Sequence, residues 1–248
     1  MRKLVSLLSL IALLTAGGTA QERPAGKWIL ERVDENIGSD NKIWTSEMII
    51  HGRRGSRSIT SRTWLQGTSE SFTEYLAPAR EEGTKMLKLK DQLWIFYPST
   101  DRTILISGHM LRQSVMGSDL SYEDAMEDPV LANSYDSEVS AEETVLERPC
   151  WRLVLTAREP GLAYHSRQIW VDKERFVVLK EERYARSGRL LKRTEVMSVI
   201  QVENRWIPGK TVFKDVLKDG RGTEFIVNSI EFNADIPEHV FSKASLKK

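Results

Sequence analysis

After residue 40, most of the chain consists of short runs in which apolar and polar side chains alternate, separated by turn-forming residues. Leu87 and Leu89, for example, alternate with Lys88 and Lys90, which is the two-residue period of a strand with one buried face. One of the turns is the Asp-Gly pair at residues 219–220, which strongly favours a two-residue hairpin. The pattern predicts an antiparallel meander of about a dozen strands, and therefore a mainly β fold.

Two segments leave this period and have the spacing of helices instead. In residues 24–37, Ile29, Val33 and Ile37 recur every four residues opposite charged side chains, which predicts an amphipathic N-terminal helix. Residues 107–133 combine short apolar clusters with glycine and proline breaks, which predicts two or three short helical pieces. Insertions of this length are uncommon between strands unless they act as lids or binding loops. We therefore expect a single curved antiparallel sheet, an unclosed β-barrel, with an N-terminal helix and a helical lid insertion.

The N-terminus has the parts of a secretory signal peptide. Arg2 and Lys3 supply a positive start, an apolar run follows as far as Leu14, and small residues lead to Ala20. This run is shorter than the ~20 residues that span a bilayer. We expect residues 1–20 to be a cleavable signal peptide and residues 21–248 to form one exported domain. No cysteine follows the run to accept a lipid, so we expect the mature protein to be free in the periplasm.

Charge and cysteine content argue against several classes of protein. The formal net charge is +1, from 36 basic and 35 acidic residues, which provides no field to attract nucleic acid. Cys150 is the only cysteine, so no internal disulfide can form, and its apolar neighbours favour a buried structural thiol. We expect a monomer that depends on packing for its stability and binds no nucleic acid.

The sequence contains no recognisable catalytic or cofactor motif. The four histidines are far apart, and no His-x-x-x-His or Cys-x-x-Cys spacing supports a metal site. Ser107 and His109 place a hydroxyl near an imidazole, but adjacency in sequence is not the geometry of a catalytic triad. Neither a nucleophile elbow nor a phosphate-binding loop occurs. We therefore expect no enzymatic activity, no metal and no cofactor.

Large and flexible apolar side chains are concentrated in the strands next to the insertion. Methionine and aromatic residues suit greasy surfaces that adapt to varied shapes, although a plain hydrophobic core has the same composition. Residues 93–97, Leu-Trp-Ile-Phe-Tyr, form a strand that is apolar on both faces, so both of its sides need cover. A lid on one side would supply that cover and would leave room for a cavity beneath it.

Three segments resemble one family of exported proteins: residues 78–87 (PAREEGTKML), residues 93–102 (LWIFYPSTDR) and residues 117–124 (GSDLSYED). They are similar to the outer-membrane lipoprotein-sorting proteins, a LolA-like branch of the LolA/LolB-type lipoprotein carrier superfamily. The resemblance implies an unclosed barrel with a hydrophobic cavity beneath a helical lid. It also implies a periplasmic carrier that binds the acyl chains of lipoproteins or other lipids and moves them between the envelope membranes. An inner-membrane transporter and an outer-membrane acceptor would be its partners.

The expected acyl-chain cavity draws on ten apolar residues: Trp64, Phe72, Trp94, Phe96, Ile104, Ile106, Met110, Leu111, Val115 and Met116. Arg62 or Arg80 could supply the arginine that locks the lid in such carriers. The alternative function is a non-catalytic accessory or scaffold module of an envelope transporter complex. A cavity filled by its own side chains would favour that alternative. The sequence leaves open whether the cargo is a lipoprotein or a free lipid.

Overall fold

The computed structural model describes residues 24–52 and 55–247, so the signal peptide predicted at residues 1–20 lies outside the described residues. The helices in this part are α1 (Gly26–Ile37), α2 (Tyr122–Met126) and α3 (Leu131–Ser134). The strands are β1 (Asn41–Gly52), β2 (Gly55–Gln66), β3 (Glu70–Ala77), β4 (Lys85–Leu89), β5 (Gln92–Tyr97), β6 (Arg102–Ile106), β7 (Tyr135–Val145), β8 (Arg148–Ala157), β9 (Ser166–Asp172), β10 (Val178–Tyr184), β11 (Leu190–Val202), β12 (Arg205–Asp215) and β13 (Thr223–Phe232). Short 3-10 turns include Gly108–Arg112 and Val115–Gly117 before α2, and Glu238–Phe241 and Lys243–Lys247 after β13.

All thirteen strands form one antiparallel sheet, in the order β6-β5-β4-β3-β2-β1-β13-β12-β11-β10-β9-β8-β7. Within the described ranges, the end strands β6 and β7 are not hydrogen-bonded to each other, so the sheet is open. The prediction of a mainly β fold with one unclosed antiparallel sheet, an N-terminal helix and a helical insertion is confirmed. None of the described helices is long and apolar enough to cross a membrane.

Helix α1 covers the inner face at the β7 end of the sheet. Its stripe of Ile29, Leu30 and Val33 is buried against apolar side chains of β8 and β9, among them Leu153 and Ile169. The first turn of the helix approaches β7 closely, since a Cβ added at Gly26 would lie 2.7 Å from the carbonyl oxygen of Ser137. This position therefore requires glycine. The predicted apolar stripe, which recurs every four residues, lies on the buried face of the helix.

The insertion, residues 107–133, leads from one edge strand to the other. It starts after β6 and ends within α3, directly before β7, so the chain crosses the inner face between the two ends of the sheet. Val115 and Tyr122 of the insertion are buried against Leu93 and Ile95 of β5 and against Ile106. The prediction that residues 107–133 form short helical pieces is confirmed, and the described pieces include α2 and α3.

The outer face of β3, β4 and β5 has its own cover, which we call the C-terminal segment, residues 234–247. Ala234, Ile236, Phe241 and Leu246 of this segment pack against a cluster that includes Phe72, Leu87 and Trp94. The chain ends in 3-10 turns on this face. The strand formed by residues 93–97 is therefore covered on both sides, by the insertion inside and by the C-terminal segment outside.

Asp34 of α1 lies beside the first turn of α3. Burial raises the pKa of Asp34 to about 6, although the backbone N–H groups of Leu131 and Ala132 act in the opposite direction. Neither carboxylate oxygen has a hydrogen-bond partner of ordinary geometry among the described residues. The joint between α1 and α3 therefore contains a carboxyl group that titrates close to neutral pH.

We expect Asp34→Asn to stabilise the protein at neutral pH. The folded state favours the protonated carboxyl, whose contribution is fully present below the unfolded pKa of 3.8 and is lost as the pH rises through about 6. Asparagine cannot ionise, so the variant should gain on the order of 1 kcal/mol above neutral pH, with screening allowed for. Thermal unfolding of both proteins from acidic to mildly alkaline pH measures this, and Tm curves that stay parallel would contradict it.

Candidate functional site

A cavity of about 270 Å³ lies between the insertion and the inner face of the sheet, and we call it the apolar cavity. Its apolar floor is built by side chains from β1, β2, β3, β4 and β13, namely Trp44, Met48, Ile59, Tyr75, Met86 and Phe225. Its roof includes Val115, Leu120 and Ala125 of the insertion. The volume is slightly below the ~300–1,000 Å³ of typical small-molecule sites, so a long hydrocarbon chain requires the roof to move.

Paired hydroxyl side chains explain why the floor leaves a space. Ser46 of β1 lies opposite Ser61 of β2, and Thr63 of β2 lies opposite Thr73 of β3. The two pairs of hydroxyl oxygens are 3.2 Å and 3.0 Å apart, so one hydroxyl of each pair donates a hydrogen bond to the other. We call these four residues the hydroxyl stripe. They are shorter than the Leu or Ile that would fill a close-packed core, and a gap remains above them.

Five of the ten predicted wall residues lie together in the insertion or directly before it. Val115 lines the apolar cavity itself. The other four, Ile106, Met110, Leu111 and Met116, belong with Val115 to the hydrophobic cluster that supports the roof. Ile104 lies on the edge strand β6, and 36% of its surface is exposed. The structure thus brings half of the predicted set to the cavity or its support, and their binding of a ligand stays a prediction.

The structure places the remaining four, Trp64, Phe72, Trp94 and Phe96, on the opposite face of the sheet. They are part of the cluster beneath the C-terminal segment and do not line the apolar cavity. Successive strand residues point to opposite faces, so Leu93 and Ile95 face inwards whereas Trp94 and Phe96 face outwards. The sequence shows which residues share a face but not which face is covered by the lid. The hydroxyl stripe, which the sequence-based prediction omitted, follows the same alternation on the inner side.

A second space of about 370 Å³, the polar pocket, adjoins the apolar cavity. Leu65, Ser71, Asp124 and Ala125 line both spaces. The far wall of the polar pocket is charged, with Arg167 of β9 and Glu181 and Arg183 of β10. An apolar space therefore lies next to a space lined by polar groups. An amphiphilic molecule requires these two environments side by side.

Ion pairs connect the insertion to the sheet in this pocket. Asp124 of α2 accepts a hydrogen bond from Arg183 at 3.0 Å and another from Lys192 of β11. Glu127, directly after α2, pairs with Arg167. Glu181 lies between the two arginines, 2.8 Å from Arg167 and 2.9 Å from Arg183. The charges of three strands thus meet two carboxylates of the insertion.

Lys88 of β4 also binds the insertion, at the end of α2. Its ammonium group donates to the backbone carbonyls of Met126 and Glu127, at 3.2 Å and 3.3 Å, where α2 ends. A cation at the C-terminal end of a helix is favourable because the last carbonyls carry partial negative charge. We call Lys88, Asp124, Glu127, Arg167, Arg183 and Lys192 the lid anchor.

Burial disfavours the charged forms of the two carboxyl groups in the lid anchor. It would raise the pKa of Asp124, but Arg183 and Lys192 outweigh it and lower the pKa to about 2. For Glu127 the balance is reversed, and burial raises its pKa in spite of Arg167 and Arg183. Among the described residues, the Nε atoms of Arg167 and Arg183 have no hydrogen-bond partner. The anchor is therefore an incompletely satisfied network, which opens at less cost than a complete one.

Neither arginine proposed from the sequence as the lock contacts the anchor. The guanidinium of Arg62 lies 5.0 Å from the ring centre of Trp64, and Arg80 is exposed with Glu81 as its neighbour. The lid is held instead by Lys88, Arg167, Arg183 and Lys192. Arg167, Arg183 and Lys192 alternate with polar or apolar residues in ordinary strands, so no local motif distinguishes them in the sequence.

Neither His51 nor Cys150 lines the apolar cavity. The described residues contain no group of three His, Cys, Asp or Glu that could hold a metal ion. His51 contacts Ser56 at 2.7 Å and Glu224 at 3.0 Å, but these residues lie on neighbouring strands at the β1–β2 hairpin end and do not line the cavity. Glu224 is also held by Lys210 at 2.6 Å, which makes the group a set of cross-strand contacts. Cys150 is buried as expected, and burial raises the pKa of its thiol to about 11.

Several solved structures share this architecture. An outer membrane lipoprotein-sorting protein domain from Vibrio parahaemolyticus is 24% identical, with a TM-score of 0.79 over 90% of this chain and 98% of that one. A DUF1329 family protein from Desulfovibrio piger is 22% identical, with a TM-score of 0.81 over 89% and 97% of the two chains. A LolA superfamily protein from Nitrosomonas europaea is 22% identical, with a TM-score of 0.75 over 90% and 100%.

These likenesses show the fold: the open antiparallel sheet of this chain is shared with a lipoprotein-sorting protein domain and with a LolA superfamily protein. The resemblance inferred from the three sequence segments is confirmed at the level of the fold. A family model described as an uncharacterized protein matches residues 67–248, and the chain belongs to that family. No curated protein matches the sequence.

We expect Asp124→Asn to loosen the insertion. The change keeps the shape of the side chain but leaves Arg183 and Lys192 without their anion, and breaking a buried pair in this way costs about 3 kcal/mol. Chemical denaturation measures the stability, and hydrogen exchange measures the protection of residues 122–134, which should fall first. Because the folded pKa is about 2, the contribution is fully present above pH 3.8 and is lost as the pH falls through 2.

The matched control is Asp101→Asn, which removes an exposed carboxylate that pairs with Lys247 at 3.2 Å. Exposed pairs contribute well below about 1 kcal/mol, so this variant should behave like the wild type. Equal stability and equal exchange in the Asp124 and Asp101 variants would contradict the anchor.

Proposed function

We propose that the protein is a periplasmic carrier that binds the acyl chains of lipoproteins or other lipids in the apolar cavity and moves them between the envelope membranes. The observation that carries this proposal is a void on the inner face of the sheet that the chain builds and leaves open. The lining of the void is mainly apolar, and the four residues of the hydroxyl stripe are hydrogen-bonded in pairs. Each CH₂ group buried there gains ~0.8 kcal/mol, so a hydrocarbon chain is the ligand that the surface favours.

The attachment of the roof supports a carrier, which must both hide its cargo and release it. The insertion is fixed to the sheet by the six-residue lid anchor, and not by apolar packing alone. Ion pairs and hydrogen bonds break and reform with small movements, whereas a close-packed interface has to separate as a whole. Opening the anchor would lift Val115, Leu120 and Ala125 from the floor and enlarge the cavity.

The proposed location and the proposed partners are inferred from the sequence and from structural similarity. Residues 1–20 have the pattern of a signal peptide, and the fold is shared with a domain described as lipoprotein-sorting and with a LolA superfamily protein. We infer an inner-membrane transporter as the donor and an outer-membrane component as the acceptor. The alternative, a non-catalytic accessory module of a transporter complex, would be favoured by a cavity filled by its own side chains. The open space above the hydroxyl stripe favours the carrier.

Filling the cavity tests the proposal. In Ser61→Trp, a large ring replaces one hydroxyl of the stripe and occupies the space that the proposal assigns to hydrocarbon. We expect delipidated wild-type protein to bind a fluorescent fatty acid and the variant to bind at least about tenfold more weakly, a loss of ~1.4 kcal/mol or more. Fluorescence titration at equal protein concentration is the measurement.

Ser58→Trp is the matched control, because Ser58 lies on the same strand, is exposed, and points to the opposite face. It adds the same ring without entering the cavity and should bind like the wild type. Absence of binding by the wild type, or equal binding by the Ser61 and Ser58 variants, would refute the carrier proposal.

A further inference from the structure

A second apolar chamber of about 210 Å³ lies on the same face of the sheet, beside the apolar cavity. It is lined by Ile207, Val227, Ile230 and Phe232 from β12 and β13, and by Ile37 at the end of α1. In the strand register Ile230 lies opposite Trp44, and Phe225, two residues before Val227, lies opposite Met48 of the cavity floor. The chamber therefore continues the inner surface of the apolar cavity across β1 and β13.

Trp44 and Phe225 form the boundary between the two spaces, since both side chains line both of them. Both residues are only partly buried. Large aromatic side chains at two points of this boundary separate two apolar compartments on one continuous surface. A single cavity for one hydrocarbon chain would not require such a division.

The polar pocket touches both compartments. It shares Leu65 and Ser71 with the apolar cavity and Ile37 with the second chamber. A headgroup placed in the polar pocket thus has one apolar compartment on each side. The charged side chains of that pocket include both donors and acceptors, from Lys88 to Glu181.

We propose that the ligand is an amphiphile with two hydrocarbon chains on one headgroup. One chain enters the apolar cavity, the other enters the second chamber, and Trp44 and Phe225 separate them. The headgroup lies at the polar pocket. This inference rests on the proposed carrier function and specifies the class of its cargo.

Blocking one chamber at a time tests the inference. Val227→Trp places a ring in the second chamber, and Ser229→Trp on the same strand, at an exposed position, is its control. The probes are dioctanoyl-phosphatidylcholine and octanoyl-lysophosphatidylcholine, which share a headgroup and differ by one chain. Isothermal titration calorimetry below the critical micelle concentrations gives both affinities and the stoichiometry.

The wild type should bind one molecule of the two-chain probe, more tightly than the one-chain probe. Val227→Trp should weaken binding of the two-chain probe at least about tenfold. It should leave the affinity for the one-chain probe within about twofold of the wild-type value, because the apolar cavity stays free for the single chain. Ser229→Trp should change neither affinity. Ile230→Phe, which narrows the same chamber with a smaller change, replaces Val227→Trp if that variant does not fold.

Two results would overturn the inference while the carrier function stands. In the first, Val227→Trp lowers the affinity for both probes equally, which shows that one chain runs through both chambers. In the second, Val227→Trp affects neither probe, which shows that the second chamber is not used. Failure of the wild type to bind either probe would instead refute the proposed function itself.

Discussion

The inner face of the open sheet is covered by two elements, helix α1 and the insertion, and the space that they leave above the sheet is the constraint on which the rest of the structure depends. Helix α1 lies over β8 and β9, and the insertion lies over β5 and its neighbours. An apolar sheet surface left in water is costly, so the residues between the two covers need either side chains that fill the space or a ligand that does. The chain has short hydroxyl residues in the floor of the apolar cavity, in Ser46, Ser61, Thr63 and Thr73, and the second chamber lies beside that cavity.

The two faces of the sheet are covered in different ways. On the outer face, the C-terminal segment packs its apolar side chains against Phe72, Leu87 and Trp94. On the inner face, the end of α2 is held through charges, with Asp124 and Glu127 facing the cations of three strands. Replacing a buried ion network by apolar residues is often neutral or stabilising, so stability does not explain why the chain keeps one here. Under the proposed carrier function, a cover that must move explains it, because the charged groups can bind water when the cover opens.

The fold was predictable from the sequence because its signals are local. The two-residue period, the four-residue stripe of Ile29, Val33 and Ile37, and the break at residues 107–133 each depend on neighbours in the chain. The site was only half predictable. Residues 93–97 are apolar on both faces, and the sequence does not show that Trp94 and Phe96 face the side that a segment about 140 residues later covers. The lid anchor was missed for the same reason, since Arg167 and Glu127 meet only in the folded chain.

The central claim is that the inner face keeps its two chambers for the chains of one lipid. Native mass spectrometry of the protein purified gently from its own cells tests this most directly, because it reports the mass and the stoichiometry of a retained ligand. We expect a complex with one two-chain amphiphile per protein. Organic extraction should release this ligand, and its mass should identify it. A native mass equal to that of the bare polypeptide, unchanged after incubation with membrane lipids, would contradict the central claim.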